Sequence, residues 1–193
     1  MAETLDDSAP PYEGEGNFAL WHFSEDPTLG RFAPHTPVTN PAVPPLVWAI
    51  DTRHSPTYWF PRDCPRACIW TLATTSERDR AMFFSQSDTP RIHVIESAWL
   101  ERMRECRLYA YRMPSDTFRP DSVTGYWVSN DVVHSIERVD VYDLVDRHVD
   151  ASIELRVTPT IVPFWEQVVG STLGYSGCRL RFVGAPLDPY DSY

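Results

Sequence analysis

The chain has 193 residues, 42% of them hydrophobic and 13% aromatic, with 27 acidic and 17 basic residues giving a net charge of −10. A field of that sign disfavours nucleic acid and anionic membrane as general partners. Every basic residue is Arg, so lysine nucleophiles and Schiff-base chemistry are excluded, and planar guanidinium is the strong cationic donor for phosphate or carboxylate.

In chain order, residues 1–16 read as a polar tail. Phe18 to Phe23 is short, apolar and aromatic, which predicts a strand ending at the turn Ser24-Glu25-Asp26-Pro27. Five prolines between Pro34 and Pro45 predict a loop, in the position of a lid, because neither a helix nor a central strand tolerates them. Val47 to Ile50 predicts a strand buried on both faces. Asp51 to Pro56 predicts a short helix with Pro56 in its first turn, cut off by Pro61 and Pro65. Ala67 to Leu72 predicts a third strand.

Arg91 to Arg107 predicts the longest helix, since Ile92, Ile95, Trp99, Met103 and Cys106 recur every three or four residues. Leu108 to Met113, Tyr126 to Ser129, Ser135 to Val141 and Ser152 to Val157 predict strands. Tyr142 to His148 and Pro163 to Leu173 predict helices, the second with Pro163 in its first turn and Gly174 at its end. Gly174 to Gly177 predicts a turn, and Cys178, Leu180 and Phe182 a last strand. The order contains no regular βαβ repeat, so the expected fold is α+β, mainly antiparallel, with two or three helices. One globular domain is expected over residues 17–185, with a second tail over 186–193.

The acidic start Met1 to Asp7 does not read as a signal peptide, and no apolar run approaches a membrane span. The expectation is a cytoplasmic protein with four reduced thiols, Cys64, Cys68, Cys106 and Cys178. Cys64 and Cys68 lack a second pair, and the six histidines are scattered, so no metal is expected. Neither a Gly-rich phosphate loop nor a nucleophile elbow is present.

Chemistry concentrates between Leu20 and Arg66, where polar groups alternate with large aromatics. His22 and Ser24 share one face of the first strand and suit a ribose or a carboxamide; the alternative is a histidine satisfying a turn. Arg62, Asp63 and Arg66 surround Cys64. They form a rigid anion-binding turn, a thiolate activated by Arg, or an Asp–Arg pair that pins the loop. His54 and Tyr58 share a face if their segment is helical, for stacking or for core packing. A thiol reading would pair Cys64 with His22 or His54 as base.

The motifs Leu20-Trp-His-Phe-Ser-Glu-Asp-Pro27 and Tyr58-Trp-Phe-Pro-Arg-Asp-Cys-Pro-Arg66 look like those of an uncharacterised bacterial family, from about Leu20 to Phe182. His22-Phe23-Ser24, Val47-Trp48-Ala49-Ile50, Leu108 to Arg112, Asp116 to Asp121 and Tyr126 to Val132 are also similar to segments of the ADP-ribosyltransferases that inactivate rifamycins. Phe23 stands where that family has Gly after its His, and Trp48 where it has Tyr. The second resemblance implies a split sheet that binds NAD. It implies ribose binding by His22, stacking by Trp48 or Tyr58, and support of the cationic sugar by Asp121 or Asp116. With Ser24 at the ribose and Arg62 or Arg66 at phosphate, the expected activity is transfer or cleavage at the ribosyl bond. The alternative is a non-catalytic binder or accessory protein for an aromatic metabolite.

Overall fold

The computed structural model describes residues 19–36, 44–121 and 125–180. In chain order it runs β1 (Leu20–Ser24), β2 (Arg31–Phe32), β3 (Val47–Asp51), a 3-10 turn (Ser55–Tyr58), β4 (Arg66–Trp70), α1 (Glu77–Phe84) and β5 (Arg91–Glu96). A 3-10 turn (Ser97–Trp99), α2 (Leu100–Glu105), β6 (Leu108–Met113), β7 (Arg119–Pro120) and β8 (Tyr126–Ser129) follow. The chain continues with β9 (Val133–His134), β10 (Glu137–Val141), α3 (Leu144–Asp150), β11 (Glu154–Thr158), α4 (Val162–Val169) and β12 (Gly174–Cys178). This is the expected α+β class with mostly antiparallel open sheets, and it carries four α-helices among the described residues where two or three were expected. The expected tails lie outside the described residues, as do residues 37–43 of the proline-rich loop, whose ends meet in an antiparallel bridge between His35 and Leu46.

The chain divides into two compact units. The first takes residues up to Arg62 and from Cys106 to Tyr142. Its six-stranded sheet has the order β10-β6-β1-β3-β8-β7, and β2 pairs with β9 beside it. Register puts Leu20, Ala49, Val47, Tyr111 and Met113 on one face, where Phe32, Phe118 and Val133 complete a core. All five residues of β3 are buried, as a strand covered on both faces requires. The edge strand β10 carries Glu137, Arg138 and Asp140, charges that discourage further strand pairing.

The second unit takes Asp63 to Glu105 and the chain from Asp143 onward. Its sheet has the order β11-β5-β4-β12, with β5 and β11 parallel and the other pairs antiparallel. Ala67, Ile69, Ile92 and Val94 form its apolar face, packed with Phe83 and Phe84 of α1 and with Trp165 and Val168 of α4. Ser76 caps α1, its hydroxyl accepting the Asp79 N–H at 3.1 Å. The Asp79 carboxylate accepts both the N–H and the hydroxyl of Thr172 at 2.8 and 2.6 Å, tying α1 to the segment before β12.

Three expectations are corrected. The helix expected over Arg91 to Arg107 is a strand up to Glu96, and only Leu100–Glu105 is α-helical. Ile92 and Val94 alternate with Arg91, His93 and Ile95 across the two sheet faces, so the spacing of Ile92 and Ile95 was not a helical stripe. The turn expected at Gly174–Gly177 is β12 itself. A Cβ on Gly177 would lie 2.5 Å from Trp165 and Leu180, and one on Gly174 would lie 2.2 Å from Trp70, so these glycines admit bulky neighbours within a strand. The strand expected from Cys178 onward ends there instead, because Arg179 takes φ 59°; Phe182 lies outside the described residues.

Candidate functional site

The first unit gathers most of the residues that the sequence singles out, on two faces of one sheet. On β1, alternation sends His22 and Ser24 to the face of Leu20, and Phe23 to the other. His22 packs against Phe32 at 4.9 Å between ring centroids, and its Nδ1 lies 3.0 Å from the Trp48 carbonyl oxygen. A carbonyl only accepts, so Nδ1 carries the hydrogen. Burial holds this imidazole below its ordinary pKa, and the positive charge of Arg62 and that of His35 push the same way, against the hydrogen bond to Trp48. The ring is therefore neutral at pH 7, with Nε2 as an oriented acceptor.

The turn after β1 is held from several sides. Ser24 Oγ accepts the Asp26 N–H at 3.1 Å, and Glu25 Oε1 accepts the Arg62 N–H at 2.9 Å. The Tyr111 hydroxyl donates to the Asp26 carbonyl at 2.6 Å. These contacts fix the end of the strand that carries His22 and bring the Arg62 backbone to it.

Trp48, Tyr58 and Tyr126 stand on the opposite face. Tyr126 meets Trp48 and Tyr58 edge-on at 6.1 and 6.2 Å, and the Tyr58 and Tyr126 hydroxyls lie 3.0 Å apart. Phe23 lies nearly parallel to Tyr58. Asp121 follows β7 and joins by its backbone, its N–H donating to the Tyr126 carbonyl at 2.9 Å. The sheet thus brings His22, Ser24 and the Arg62 charge together, and separately brings Trp48 and Tyr58 together. Asp116 stands in the turn before β7.

At the end of β3 is a pair that the sequence reading did not assemble. Asp51 Oδ1 accepts both the backbone N–H and the Nδ1–H of His54, each at 2.8 Å. All seven residues from Asp51 to Thr57 are buried. Their hydroxyls are used locally, Ser55 donating to the Thr52 carbonyl and Thr57 to the His54 carbonyl. The spacing of three between Asp51 and His54 was the available signal.

Arg66 falls in the second unit, on the sheet face opposite the apolar core. Register places it there with Cys68, Arg91, His93, Ser176 and Cys178. His148 of α3 reaches the same face, its Nε2 3.0 Å from His93 Nδ1, while its Nδ1 donates to the Leu144 carbonyl at 2.7 Å. Both rings are fully buried. Burial holds His148 down to about 4 and pushes His93 well below its ordinary value, with the charges of His148, Arg91 and Arg66 adding to the effect on His93. The two neutral tautomers follow: His93 donates from Nδ1 to His148 Nε2.

Cys68 lies directly across from His93, and burial raises its thiol well above the usual value. All four cysteines are buried. Arg66 donates to the Cys64 carbonyl at 3.2 Å, and Asp63 lies 3.8 Å from Arg179. Among the described residues no group of three or more His, Cys, Asp or Glu side chains is placed to hold a metal ion. Among the same residues, no helix is long and apolar enough to cross a membrane.

The model of a family described as a family of unknown function, DUF6886, matches residues 21–183. No curated protein and no solved structure matches the chain.

Proposed function

The chain belongs to this family of unknown function, and we propose that its first unit binds a ribosylated small molecule of the NAD class at His22. The observation that carries this reading is the oriented neutral imidazole. Its Nδ1–H is committed to the Trp48 carbonyl, the residue is half-buried, and Nε2 is the acceptor left for a sugar hydroxyl. Ser24 lies on the same strand face, and the Arg62 charge that acts on His22 suits a ligand phosphate. Arg66, the other phosphate residue expected from the sequence, belongs to the second unit. In the ADP-ribosyltransferase-like form of this proposal, nicotinamide leaves the ribose as water or an acceptor hydroxyl bonds to the sugar carbon; Asp121 is the carboxylate the resemblance assigns to the developing positive charge, and its backbone pairs with Tyr126 on the side of the sheet away from His22.

A second reading, a non-catalytic binder of an aromatic metabolite, is favoured by the grouping of Phe23, Trp48, Tyr58 and Tyr126. That grouping occupies the face of the sheet opposite His22.

A thermal-shift titration with NAD, ADP-ribose and nicotinamide tests the first reading. At a hundred times its Kd a ligand adds about 2.7 kcal/mol, a rise of several degrees for a domain of this size. NAD and ADP-ribose are expected to raise the melting temperature, and His22→Ala to weaken both by about fivefold or more through the lost hydrogen bond. No shift with either compound, or an unchanged affinity in His22→Ala, overturns the ribosyl reading. Release of nicotinamide from NAD, lost in Asp121→Asn, separates transfer chemistry from simple retention.

A further inference from the structure

We infer that β11 is a self-association edge, where two copies of this chain pair antiparallel about a two-fold axis at Leu155. Among the described residues β11 is one edge of the second sheet, paired in parallel with β5 on one side only. In such a ladder every second residue of the edge strand turns its N–H and C=O away from its neighbour. Within the same residues nothing pairs with those outward groups of Glu154–Thr158. Two common guards of an edge are missing, since the strand holds no Pro and the chain holds no Lys. Its charges are turned on each other, with Arg156 Nε 2.6 Å from Glu154 Oε1 and the two side chains 31% and 28% exposed. On the other edge strand, β10, Arg138 and Asp140 stand further into solvent, at 45% and 42%.

Charge selects the partner and the register. Pairing with β5 puts Glu154 and Arg156 on the face of Ile92 and Val94, and Leu155 and Val157 on the face of His93 and Ile95. A two-fold axis normal to the sheet joins like faces, so Glu154 and Arg156 meet only each other, themselves or Thr158. With Arg156 or Glu154 opposite itself, like charges meet at the axis, which is unfavourable. With Val157 opposite itself, Leu155 meets Pro159, which lacks an N–H. With Leu155 opposite itself, Glu154 of each copy meets Arg156 of the other, twice by symmetry. Arg156 has a donor for this. Its Nε serves Glu154 and its Nη2 the Phe83 carbonyl, while Nη1 has no hydrogen bond among the described residues. Val157, 42% exposed, becomes a diagonal neighbour of the second Leu155. One strand pair is a small interface, so the dimer is weak and concentration-dependent.

The edge is independent of the His22 reading, and its test uses no ligand. Sedimentation velocity of the full chain through the micromolar range is expected to show a monomer–dimer equilibrium. Glu154→Arg sets Arg against Arg156 at both ends of the pair and should weaken the dimer about tenfold. Arg156→Glu should do the same with two carboxylates. Mixed in equal amounts, these two variants again face opposite charges across the axis, and a heterodimer tighter than either homodimer is expected. Leu155→Cys reads the register with the charges untouched. Oxidised glutathione should join the two new thiols in a disulfide between copies, itself being reduced to two glutathione thiols. Val157→Cys, which stands opposite Ile153, should not crosslink to itself. The four natural cysteines are buried, so the unsubstituted chain is the control. Melting curves show which variants are folded, and the cysteine variants keep the test available if a charge variant is not. A monomer throughout, an undiminished dimer in folded Glu154→Arg, or crosslinking at Val157→Cys in place of Leu155→Cys overturns the inference.

Discussion

Acidification from pH 6.5 toward 4 removes a large part of the stability of the second unit. His148 and His93 are buried and neutral in the fold, and both have proton affinities lowered by that burial. In the unfolded chain each takes a proton near its ordinary value of 6.5. Below that pH the unfolded state binds protons that the folded state refuses, so acid favours unfolding. The stabilisation is complete above 6.5 and is lost as the pH falls through the folded values, about 4 for His148 and well below the ordinary value for His93. For His148 alone the window is worth about 3 kcal/mol, and the sign is the same for His93 and for His22. Denaturant unfolding at several pH values between 7 and 4 measures it. Above about pH 5 ordinary carboxylates remain ionised, so the fall between 6.5 and 5 belongs to the histidines. The double variant His93→Phe/His148→Leu should flatten this dependence whatever its own stability at pH 7. A flat profile in the natural chain, or the same slope in the double variant, defeats the account.

That pair shows why part of the chain was not legible in sequence. His93 and His148 are 55 positions apart, and only the packing of α3 on the β5 sheet joins them. His93 also sat in a segment read as helix. Ile92 and Ile95 match a helical spacing, and the competing alternation of Arg91, His93 and Ile95 against Ile92 and Val94 could be recognised only once β4 and β11 flanked the segment on either side. By contrast, Leu108–Met113 and Tyr126–Ser129 were legible to the residue, because short apolar runs ending at Pro114 or beyond Ser129 leave little room for another reading. In the candidate site, the sequence singled out segments and the structure sorted their side chains onto two faces. His22 and Trp48 both lie where expected, on neighbouring strands, yet strand alternation and register send their side chains to opposite faces. Phe23, which the resemblance marked only as a departure, becomes a partner of Tyr58. Helix α1 was not foreseen, although Ser76 followed by acidic residues was its available start signal.

Gly125→Ala lowers stability by about 3 kcal/mol, from two separable sources. Gly125 has φ +90°, a conformation that costs a residue with a Cβ about 1–2 kcal/mol. A Cβ there would also lie 2.5 Å from Cγ and Nδ1 of His54 and 2.8 Å from its Cβ. Those atoms are the root of the imidazole, not a flexible tip. The ring cannot swing aside without losing the 2.8 Å bond to Asp51, whose own N–H donates to the Gly125 carbonyl at 3.0 Å. Overpacking of this kind costs about 1–3 kcal/mol. The melting temperature should fall by about 10 °C. Replacing His54 by Ala removes the ring that the new methyl would strike. In the His54→Ala background, Gly125→Ala should therefore cost only the backbone part, about 1–2 kcal/mol, and the difference between the two costs measures the collision. An equal cost in both backgrounds would mean that the ring is not what reserves this position for glycine. A smaller cost with His54 absent ties the conformation of the loop before β8 to the placement of the Asp51–His54 pair. The glycine at 125 is then part of what holds that imidazole against its carboxylate.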